Sequence, residues 1–420
     1  MAKYLVQKSK PLNGEVIISG SKNAILPIMA AAILTRGKCE LFEVPALRDV
    51  DVMAKLLRCV GSTVVEDYEN SRLEILTEEI LAEEAPYELV KKMRASILIM
   101  GALLARTGKA RVALPGGCAI GARPIDLHLK GFQAMGATIT EGHGYVEARA
   151  ERLVGANIYL DFPSVGATEN IIMAASLAQG ITILENVAEE PEIVDLANFL
   201  NKMGAKIKGA GTDTIKIEGV KELFGTKHAV IPDRIETGTF MVAAAITRGT
   251  VLIKNAMPDH VKPIIAKLRE CGVVVEYNDE SILIKADINP LVSTDVKTLP
   301  YPGFPTDMQS QFMSLLATVK GSSTVNETVF ENRYMHIGEL NRMGANIKIE
   351  GRSAVIQGEK TLQGAQVIAT DLRAGAALVL AGFMAEGVTE ISEIYHIERG
   401  YEKFLVKFRK LGATIIRIED

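Results

Sequence analysis

The chain has 420 residues, of which 48% are hydrophobic and 23% are charged, and its formal net charge is -4. A chain of this length and apolar content buries more than one core, so we predict two or three domains rather than one. The slight negative charge argues against a nucleic-acid or membrane-surface binder, since such proteins carry a broad excess of Lys and Arg, and any anionic ligand must meet a local basic cluster.

The cysteines and the N-terminal residues indicate the cellular compartment of the protein. Cys39, Cys59, Cys118 and Cys271 are scattered singly without CxxC pairs, which favours a reducing compartment and argues against structural zinc. We expect Cys59 to be buried in an apolar element. The N-terminal MAKYLVQKSKPLNGEV has no apolar segment followed by a small-residue cleavage site, so we predict no signal peptide and a cytoplasmic location. We predict no metal and no cofactor.

A repeat of about 70 residues organises the chain. Helix-period patterns such as DVDVMAKLLRCVG and EIVDLANFLNKMG each end in a glycine, which stands where a helix C′ residue is expected. The six glycines are Gly61, Gly136, Gly204, Gly272, Gly344 and Gly412. Apolar or alternating stretches predict a strand after five of them, beginning at Ser62, Ala205, Val273, Ala345 and Ala413.

A second helix in each repeat is apolar around nearly its whole circumference, which predicts that it is buried. These helices are too short for the roughly 20 residues that span a bilayer. In chain order they are NAILPIMAAAILT, RASILIMGALLAR, TENIIMAASLAQG, ETGTFMVAAAITRG, DMQSQFMSLLATVKG and LRAGAALVLAGFMAEG.

Basic residues stand at the start of several predicted helices. They are Lys22 (beside Asn23), Arg94 and Arg373 (near Asp371) at buried helices, and Arg123, Arg333 and Arg399 at amphipathic ones. A cation at a helix N-terminus opposes the helix dipole and forfeits about 0.3–1 kcal/mol relative to an acidic residue there. A bound anion would compensate, although any single arginine could instead pair with a neighbouring carboxylate. Acidic residues such as Asp307 also stand at the starts of buried helices. Judged from the local sequence alone, they are helix caps.

The stretch LPGGCAIGARPIDLHLKGF is the most irregular in the chain. Glycines and a proline surround Cys118, so we predict a surface loop. Arg123 lies nearby in sequence and would favour the thiolate, which makes Cys118 a candidate reactive thiol, although small loop residues also tolerate a cysteine without function. His128 could pair with Cys118, but a structural histidine in the following helix is the preferred interpretation.

Nine motifs together resemble the UDP-N-acetylglucosamine enolpyruvyl transferase family along the whole chain. They are SGSKNA at 19–24, RAS at 94–96, LPGGCAIGARPIDLH at 114–128, SVGATEN at 164–170, PDRIETGTF at 232–240, FPTDMQ at 304–309, FENRYMH at 330–336, TDLRA at 370–374 and YHIERGYE at 395–402.

The resemblance implies a two-domain inside-out α/β barrel with six βαβαββ-type repeats, three per domain. The first domain would be residues 22–229, which carry the Cys118 loop. The second would be residues 1–21 plus 230–420, with the N-terminal strand completing it and the active site in the cleft between the two domains.

The resemblance also implies transfer of the enolpyruvyl group of phosphoenolpyruvate to the 3′-hydroxyl of UDP-N-acetylglucosamine. Phosphate would be released through a tetrahedral intermediate, as the first committed step of peptidoglycan precursor synthesis. The implied catalytic residues are Cys118, Asp307, Lys22 and Arg399. Cys118 would add to or protonate the enolpyruvyl group, and Asp307 would take the proton of the sugar hydroxyl.

Substrate binding is implied residue by residue. Lys22, Arg123 and Arg399 would hold the phosphate, and Arg94, Arg333 and Arg373 would add charge around the carboxylate. The nucleotide-sugar positions would be Asn23, Arg123, Pro124, Asp126, Leu127, Ser164, Gly166, Asp307 and Val329. Some family members carry a Lys where this chain has Phe162, which would alter contacts to the nucleotide but not the chemistry.

Two other functions stay open from sequence. A sister transferase acting on shikimate 3-phosphate shares the repeats and the cationic site but has no comparable cysteine loop. A non-catalytic repeat scaffold would instead present its surface to a protein partner, and the basic residues at helix starts argue against it. The expected partners are the two small-molecule substrates, with no nucleic acid and no membrane, and the sequence fixes no oligomeric state.

Overall fold

The computed structural model of the protein describes residues 2–114, 125–358 and 361–419. The chain forms two compact units. The first unit consists of residues 20–114 and 125–231, and the second unit consists of residues 2–19, 232–358 and 361–419.

The strands are short and many alternate between buried and exposed residues, as Ile181–Glu185 does. In chain order they are β1 Lys3–Gln7, β2 Asn13–Ile17, β3 Cys39–Phe42, β4 Thr63–Asp67, β5 Arg72–Leu76, β6 Glu84–Ala85, β7 Lys109–Ala113, β8 Thr138–Gly142, β9 Tyr145–Arg149, β10 Asn157–Tyr159, β11 Ile181–Glu185, β12 Lys206–Lys208, β13 Thr214–Glu218, β14 Lys227–Ala229, β15 Thr250–Lys254, β16 Val274–Tyr277, β17 Ser281–Lys285, β18 Val296–Lys297, β19 Gly321–Asn326, β20 Ile347–Glu350, β21 Ser353–Gly358, β22 Gln366–Ile368, β23 Val388–Ser392 and β24 Ile415–Ile418.

The α-helices are α1 Lys22–Ala31, α2 Arg48–Cys59, α3 Tyr87–Val90, α4 Ile99–Thr107, α5 Asp126–Ala134, α6 Val165–Ser176, α7 Pro191–Lys202, α8 Arg234–Ile246, α9 Lys262–Glu270, α10 Gln309–Ala317, α11 Met335–Arg342, α12 Leu372–Gly382, α13 Tyr395–Glu398 and α14 Phe404–Lys410. Short 3₁₀ segments add Ala32–Leu34, Tyr68–Asn70, Arg94–Leu98, Pro258–Val261 and Thr306–Met308.

Each unit contains three four-stranded sheets built on one plan. In the first unit the strand orders are β14-β3-β5-β4, β6-β7-β9-β8 and β10-β11-β13-β12, and in the second they are β2-β15-β17-β16, β18-β19-β21-β20 and β22-β23-β1-β24. The first pair in every sheet is parallel and the other two pairs are antiparallel. The N-terminal strand β1 pairs with β23 and β24 and so completes the last sheet.

The apolar helices lie inside the units, as the sequence predicts. Helices α1, α4 and α6 contact one another in the first unit, and α8, α10 and α12 do so in the second. Every residue from Ala167 to Ser176 in α6 is buried, whereas α2 buries one face only. Close approach requires small residues, since a Cβ at Gly101 would lie 2.2 Å from the Asn170 carbonyl oxygen. The inside-out α/β architecture is therefore confirmed.

The six glycines of the repeat adopt left-handed backbone conformations, with φ between 91° at Gly344 and 108° at Gly61. Each lies two residues beyond the end of an amphipathic helix and before a strand or the turn into one. A residue with a Cβ is strained there, which explains the recurrence of glycine.

One cysteine prediction is wrong. Cys59 is exposed, because it lies at the C-terminal end of α2 on the face that points away from the core, while Cys39 and Cys271 are buried. Within the described ranges, no helix is long and apolar enough to cross a membrane, and no group of three or more His, Cys, Asp or Glu side chains is arranged to hold a metal ion.

Candidate active site

In the first unit, the start of α1 carries two predicted substrate-binding residues. The Ser21 side chain caps the helix by accepting a hydrogen bond from Ala24 N at 3.3 Å, so Lys22 and Asn23 occupy the first turn. Lys22 Nζ lies 3.3 Å from Oδ2 of Asp49, a buried residue of α2. This carboxylate offsets part of the ammonium charge at a helix end that already favours anions.

The same unit holds several of the residues predicted to bind the nucleotide sugar. Asp126 and Leu127 form the first turn of α5, and Gly166 lies in the first turn of α6. Ser164 is the N-cap of α6 and accepts a hydrogen bond from Ala167 N at 3.4 Å. Contacts between α5 and α6 keep these two helix starts in one unit.

His128 connects these elements. Its Nδ1 lies 2.9 Å from Nδ2 of Asn170 on α6. Burial, and secondarily the charge of Arg94, lowers the pKa of His128 to about 3. Arg94 opens the 3₁₀ segment that packs between α1 and α6. The preference for a structural histidine thus agrees with its burial and hydrogen bond, and Arg94 lies close enough to act on it electrostatically.

In the second unit, Asp307 is bound by two arginines. It lies in the 3₁₀ segment that precedes α10. Arg333 Nη2 is 2.7 Å from its Oδ1, and Nε and Nη2 of Arg373 are each 3.1 Å from its Oδ2. Both arginine side chains are nearly inaccessible, whereas that of Asp307 keeps 27% of its exposure. One guanidinium group therefore engages each carboxylate oxygen.

This pairing controls the basicity of Asp307. Burial alone would raise its pKa, but the charges of Arg333 and Arg373 outweigh that effect and hold the pKa of Asp307 well below its usual range. A carboxylate in this state is a weak base. It can take up a proton efficiently only when the guanidinium groups have another anion to bind.

Arg373 has capacity for such an anion. Its Nη1 is buried and has no hydrogen-bond partner among the described residues. The Tyr401 ring centroid lies 5.3 Å from its Cζ, and Asp371 caps α12 by accepting a hydrogen bond from the Arg373 backbone N at 2.8 Å. A buried donor without an acceptor costs about 1–3 kcal/mol, so an acceptor supplied by a ligand would be stabilising here.

A buried glutamate that the sequence analysis missed organises the surrounding loop. Glu327 accepts hydrogen bonds from Thr306 Oγ1 at 2.9 Å and from Val329 N at 2.8 Å. Thr306 Oγ1 in turn accepts a bond from Arg333 Nη1 at 2.9 Å. Val329 and Arg333 are thereby tied to the segment that carries Asp307. Glu327 follows directly after β19. A carboxylate at the end of a strand is the sequence feature by which this residue could have been found.

The predicted place of Arg399 is wrong. It does not open an amphipathic helix, because α13 ends at Glu398 and α14 begins at Phe404. Arg399 is the C-cap of α13, where a cation agrees with the helix dipole. Gly400 lies against Leu372, which keeps this segment beside the start of α12.

Three predicted site residues, Cys118, Arg123 and Pro124, lie outside the described residues. Of the others, the first unit holds Lys22, Asn23, Arg94, Asp126, Leu127, Ser164 and Gly166, and the second holds Asp307, Val329, Arg333, Arg373 and Arg399. Phe162 is 44% exposed and lies two residues before the cap of α6.

The fold is that of the enolpyruvyl transferases. The structure matches the enolpyruvyl transferase NikO from Streptomyces tendae with a TM-score of 0.90 at 24% identity, covering 99% of this chain and 98% of that one. It matches EPSP synthase from Acinetobacter baumannii with a TM-score of 0.76 at 18% identity over the full length of both chains.

Sequence comparison is more specific. Residues 6–408 match the family of EPSP synthase (3-phosphoshikimate 1-carboxyvinyltransferase). UDP-N-acetylglucosamine 1-carboxyvinyltransferase 1 of Caldanaerobacter subterraneus subsp. tengcongensis is 63% identical over 99% of both chains. UDP-N-acetylglucosamine 1-carboxyvinyltransferase 2 of Carboxydothermus hydrogenoformans is 61% identical over the full length of both. The chain therefore belongs to the EPSP synthase family and, within it, to the UDP-N-acetylglucosamine 1-carboxyvinyltransferases, which confirms the resemblance seen in its motifs.

Proposed function

We propose that this chain transfers the enolpyruvyl group of phosphoenolpyruvate to the 3′-hydroxyl of UDP-N-acetylglucosamine and releases phosphate. The observation that carries the proposal is the similarity to three proteins named UDP-N-acetylglucosamine 1-carboxyvinyltransferase. They are 58% to 63% identical to this chain along its whole length. The reaction is the first committed step of peptidoglycan precursor synthesis, and we propose that it takes place in the cytoplasm.

The reaction needs three proton movements. The sugar hydroxyl oxygen forms a bond to the central carbon of phosphoenolpyruvate and loses its proton, while the terminal methylene gains one. Phosphate then leaves from the tetrahedral intermediate, and the new methyl group gives up a proton to restore the double bond. Asp307 is proposed to accept the hydroxyl proton. Cys118, by family resemblance, is proposed to add to the enolpyruvyl group or to protonate it.

The arginine pairing of Asp307 suggests when it acts. In the absence of substrate its carboxylate shares one negative charge between Arg333 and Arg373 and is a weak base. The carboxylate or phosphate of phosphoenolpyruvate would offer these guanidinium groups another anion, starting with the unpartnered Nη1 of Arg373. Relief of the ion pair would raise the pKa of Asp307, so the base would become competent when the second substrate is present.

The other charges are proposed to serve substrate binding. Lys22 and Arg399 would stabilise the phosphate, with Arg94 adding charge around the carboxylate. The helix starts that contain Asn23, Asp126, Leu127, Ser164 and Gly166 would bind the nucleotide sugar, together with Val329.

Phosphate release tests the proposal directly. Purified protein mixed with phosphoenolpyruvate is supplied with UDP-N-acetylglucosamine in one reaction and shikimate 3-phosphate in another. We expect phosphate only with the nucleotide sugar. Release with shikimate 3-phosphate alone would assign the chain to the sister activity, and release with neither acceptor would contradict an enolpyruvyl transferase.

A further inference from the structure

Glu327 is buried and uses both carboxylate oxygens as hydrogen-bond acceptors. It is 1% exposed and follows β19. Its Oε1 accepts hydrogen bonds from Thr298 Oγ1 and Val329 N, each at 2.8 Å, and from Phe330 N at 3.1 Å. Its Oε2 accepts one from Thr306 Oγ1 at 2.9 Å. The two oxygens therefore serve different parts of the second unit, because Oε1 holds the backbone after β19 and Oε2 holds the segment that precedes α10.

The hydroxyl of Thr306 has one defined direction. Arg333 Nη1 lies 2.9 Å from Thr306 Oγ1, and a guanidinium N–H can only donate. Thr306 must therefore accept from Arg333, and its single hydroxyl proton is left for Glu327 Oε2. The three side chains form a relay that runs from Arg333 through Thr306 to Glu327. Because Glu327 takes the hydroxyl proton, a lone pair of Thr306 Oγ1 stays available to Arg333.

This relay fixes the guanidinium group of Arg333. Its Nη1 contacts Thr306 Oγ1 at 2.9 Å, and its Nη2 contacts Asp307 Oδ1 at 2.7 Å. Two contacts from different nitrogens of a planar, rigid fork leave the group little freedom to rotate. The Arg333 Cζ also lies 5.5 Å from the centroid of the Phe330 ring, and the Phe330 backbone N–H is bound to Glu327. Glu327 thus supports Arg333 by two routes.

The position of Arg333 matters because it acts on Asp307. Burial raises the pKa of Asp307, and the charge of Arg333 is the strongest influence that lowers it. A shift of the guanidinium group would therefore change both the basicity and the orientation of the Asp307 carboxylate. Proton transfer is efficient only when the base is correctly placed.

We propose that Glu327 is a positioning residue for the transfer reaction. Through the Thr306 hydroxyl it fixes the guanidinium group of Arg333, and that group in turn orients the Asp307 carboxylate. The inference rests on the proposed function, since that function makes Asp307 the proton acceptor. Glu327 is assigned no contact with substrate, because its side chain is buried and both of its oxygens are bound to protein groups.

The first test compares threonine variants by kcat for phosphate release at saturating phosphoenolpyruvate and UDP-N-acetylglucosamine. Thr306→Val keeps the shape of the side chain but removes the hydroxyl, so Arg333 Nη1 loses its acceptor. We expect kcat to fall roughly 10- to 100-fold, since small misplacements of catalytic groups have effects of this size. Thr306→Ser, which returns the hydroxyl, should restore kcat to within about threefold of wild type. If Thr306→Val itself stays within about threefold of wild type, the relay is wrong.

The matched control is Thr298→Val. Thr298 donates to the same carboxylate at 2.8 Å, but to Oε1, and it is no part of the relay to Arg333. Its kcat should stay within about threefold of wild type, and thermal unfolding of both valine variants shows that each has folded. An equal fall in kcat for Thr298→Val and Thr306→Val would mean that the loss of either hydroxyl disturbs the site, and the inference would be wrong.

Glu327→Gln tests the other end of the relay. The amide can keep its oxygen for the backbone N–H groups of Val329 and Phe330, which places Nε2 at Thr306. Thr306 Oγ1 then faces two donors, Nε2 and Arg333 Nη1, and its own proton loses its acceptor. We expect kcat to fall roughly 10- to 100-fold, and the double variant with Thr306→Val to fall no further. Losses that multiply in the double variant would contradict a shared path.

Nuclear magnetic resonance tests the relay without reference to activity. In protein with ¹⁵N-labelled arginine, slow rotation should give separate Nη1 and Nη2 signals for Arg333, assigned by their loss in Arg333→Lys. In Thr306→Val these signals should exchange at least about tenfold faster, since one hydrogen bond of a charged group is lost. Averaged signals in wild type, or an exchange rate that Thr306→Val leaves unchanged, would overturn the inference. Failure of wild type to release phosphate with UDP-N-acetylglucosamine would instead overturn the proposed function.

Discussion

The two units share one architecture and differ in how their inner helices begin. In the first unit, the first turn of α6 carries no acidic side chain, and His128 beside it is held by Asn170. In the second unit the equivalent region holds a carboxylate between two buried guanidinium groups. A repeated scaffold thus supplies similar helix ends, and the side chains placed there give each end its own charge and hydrogen-bonding groups.

The difference extends to buried carboxyl groups on the inner helices. Glu236 of α8 is paired with Lys407 and accepts a hydrogen bond from Ser19 N. Glu169 of α6 is equally buried, but the charges that act on it are the carboxylates of Glu192 and Glu190. Burial raises the pKa of both glutamates, but Lys407 counteracts this rise at Glu236, whereas the neighbouring carboxylates add to it at Glu169.

The largest expected effect comes from Asp307. Asp307→Asn keeps the size and polarity of the side chain but removes its capacity to accept a proton, so kcat should fall about 10²- to 10⁴-fold. Initial rates of phosphate release measure this fall. Turnover within about threefold of wild type would remove Asp307 as the base, and with it the assignment of proton transfer to the second unit.

Asn170 should matter mainly for stability. Asn170→Leu leaves the Gly101 N–H, the Ile97 carbonyl and His128 Nδ1 without their partner in a buried site. We expect a loss of about 3 kcal/mol in unfolding free energy, measured by urea denaturation.

The matched control for this loss is Asn201→Leu. Asn201 bonds both backbone groups of Ile207, at 2.9 and 3.0 Å, but is exposed, so water can replace it. Its loss should stay below about 1 kcal/mol. Equal losses from the two variants would show that the Asn170 network gives no special rigidity to the first unit.

Glu169 should make stability depend on pH. Burial and the two neighbouring carboxylates raise the pKa of Glu169 well above its usual value, so the folded state binds the proton more tightly than the unfolded state. Stability then falls as pH rises from about 4.3 through the folded pKa. Glu169→Gln should raise Tm by about 2–4 °C at neutral pH, with the gain vanishing near pH 4.

The contrasting variant is Glu236→Gln, which leaves Lys407 without its carboxylate partner and should lower Tm at neutral pH. Differential scanning calorimetry across pH gives both results. A neutral or destabilising Glu169→Gln at pH 7 would contradict the charge difference drawn between the units.

The smallest effects test what the units have in common. Gly136 and Gly412 have φ of 92° and 93°, and a Cβ at either would meet nothing within 4 Å. Replacing either glycine by Ala should therefore introduce only the strain of a left-handed backbone conformation. The free energy of unfolding should fall by about 1 kcal/mol in each case. Thermal unfolding of both variants should give matching losses, and a difference above about 1 kcal/mol would mean that the repeats are not physically equivalent.

Much of the fold follows from sequence because its signals are local and repeated. The glycine that ends each amphipathic helix requires a positive φ, and the helices apolar on all sides can only be buried, so the repeat and its inner helices were predictable at residue level. The arrangement of helices inside sheets came from family resemblance, because periodicity does not say what covers a buried helix.

The site was less predictable where it depends on contacts distant in sequence. The basic residues at helix starts indicated an anion, but Asp307 could not be distinguished from a helix cap until Arg333 and Arg373 were seen around it. Asn170 reads as one polar residue in an apolar helix, and its meaning depends on His128, 42 positions away. Arg399 was misplaced because the pattern YHIERGYEKF continues a helical period across a break at Gly400.

Arg373 offers the most direct test of the role proposed for the two arginines that hold Asp307. Arg373→Gln removes the guanidinium group whose Nη1 is unpartnered, and steady-state rates are measured with each substrate varied in turn. We expect KM for phosphoenolpyruvate to rise at least about tenfold while KM for UDP-N-acetylglucosamine stays within about threefold. A rise confined to UDP-N-acetylglucosamine, or an equal rise for both substrates, would contradict it.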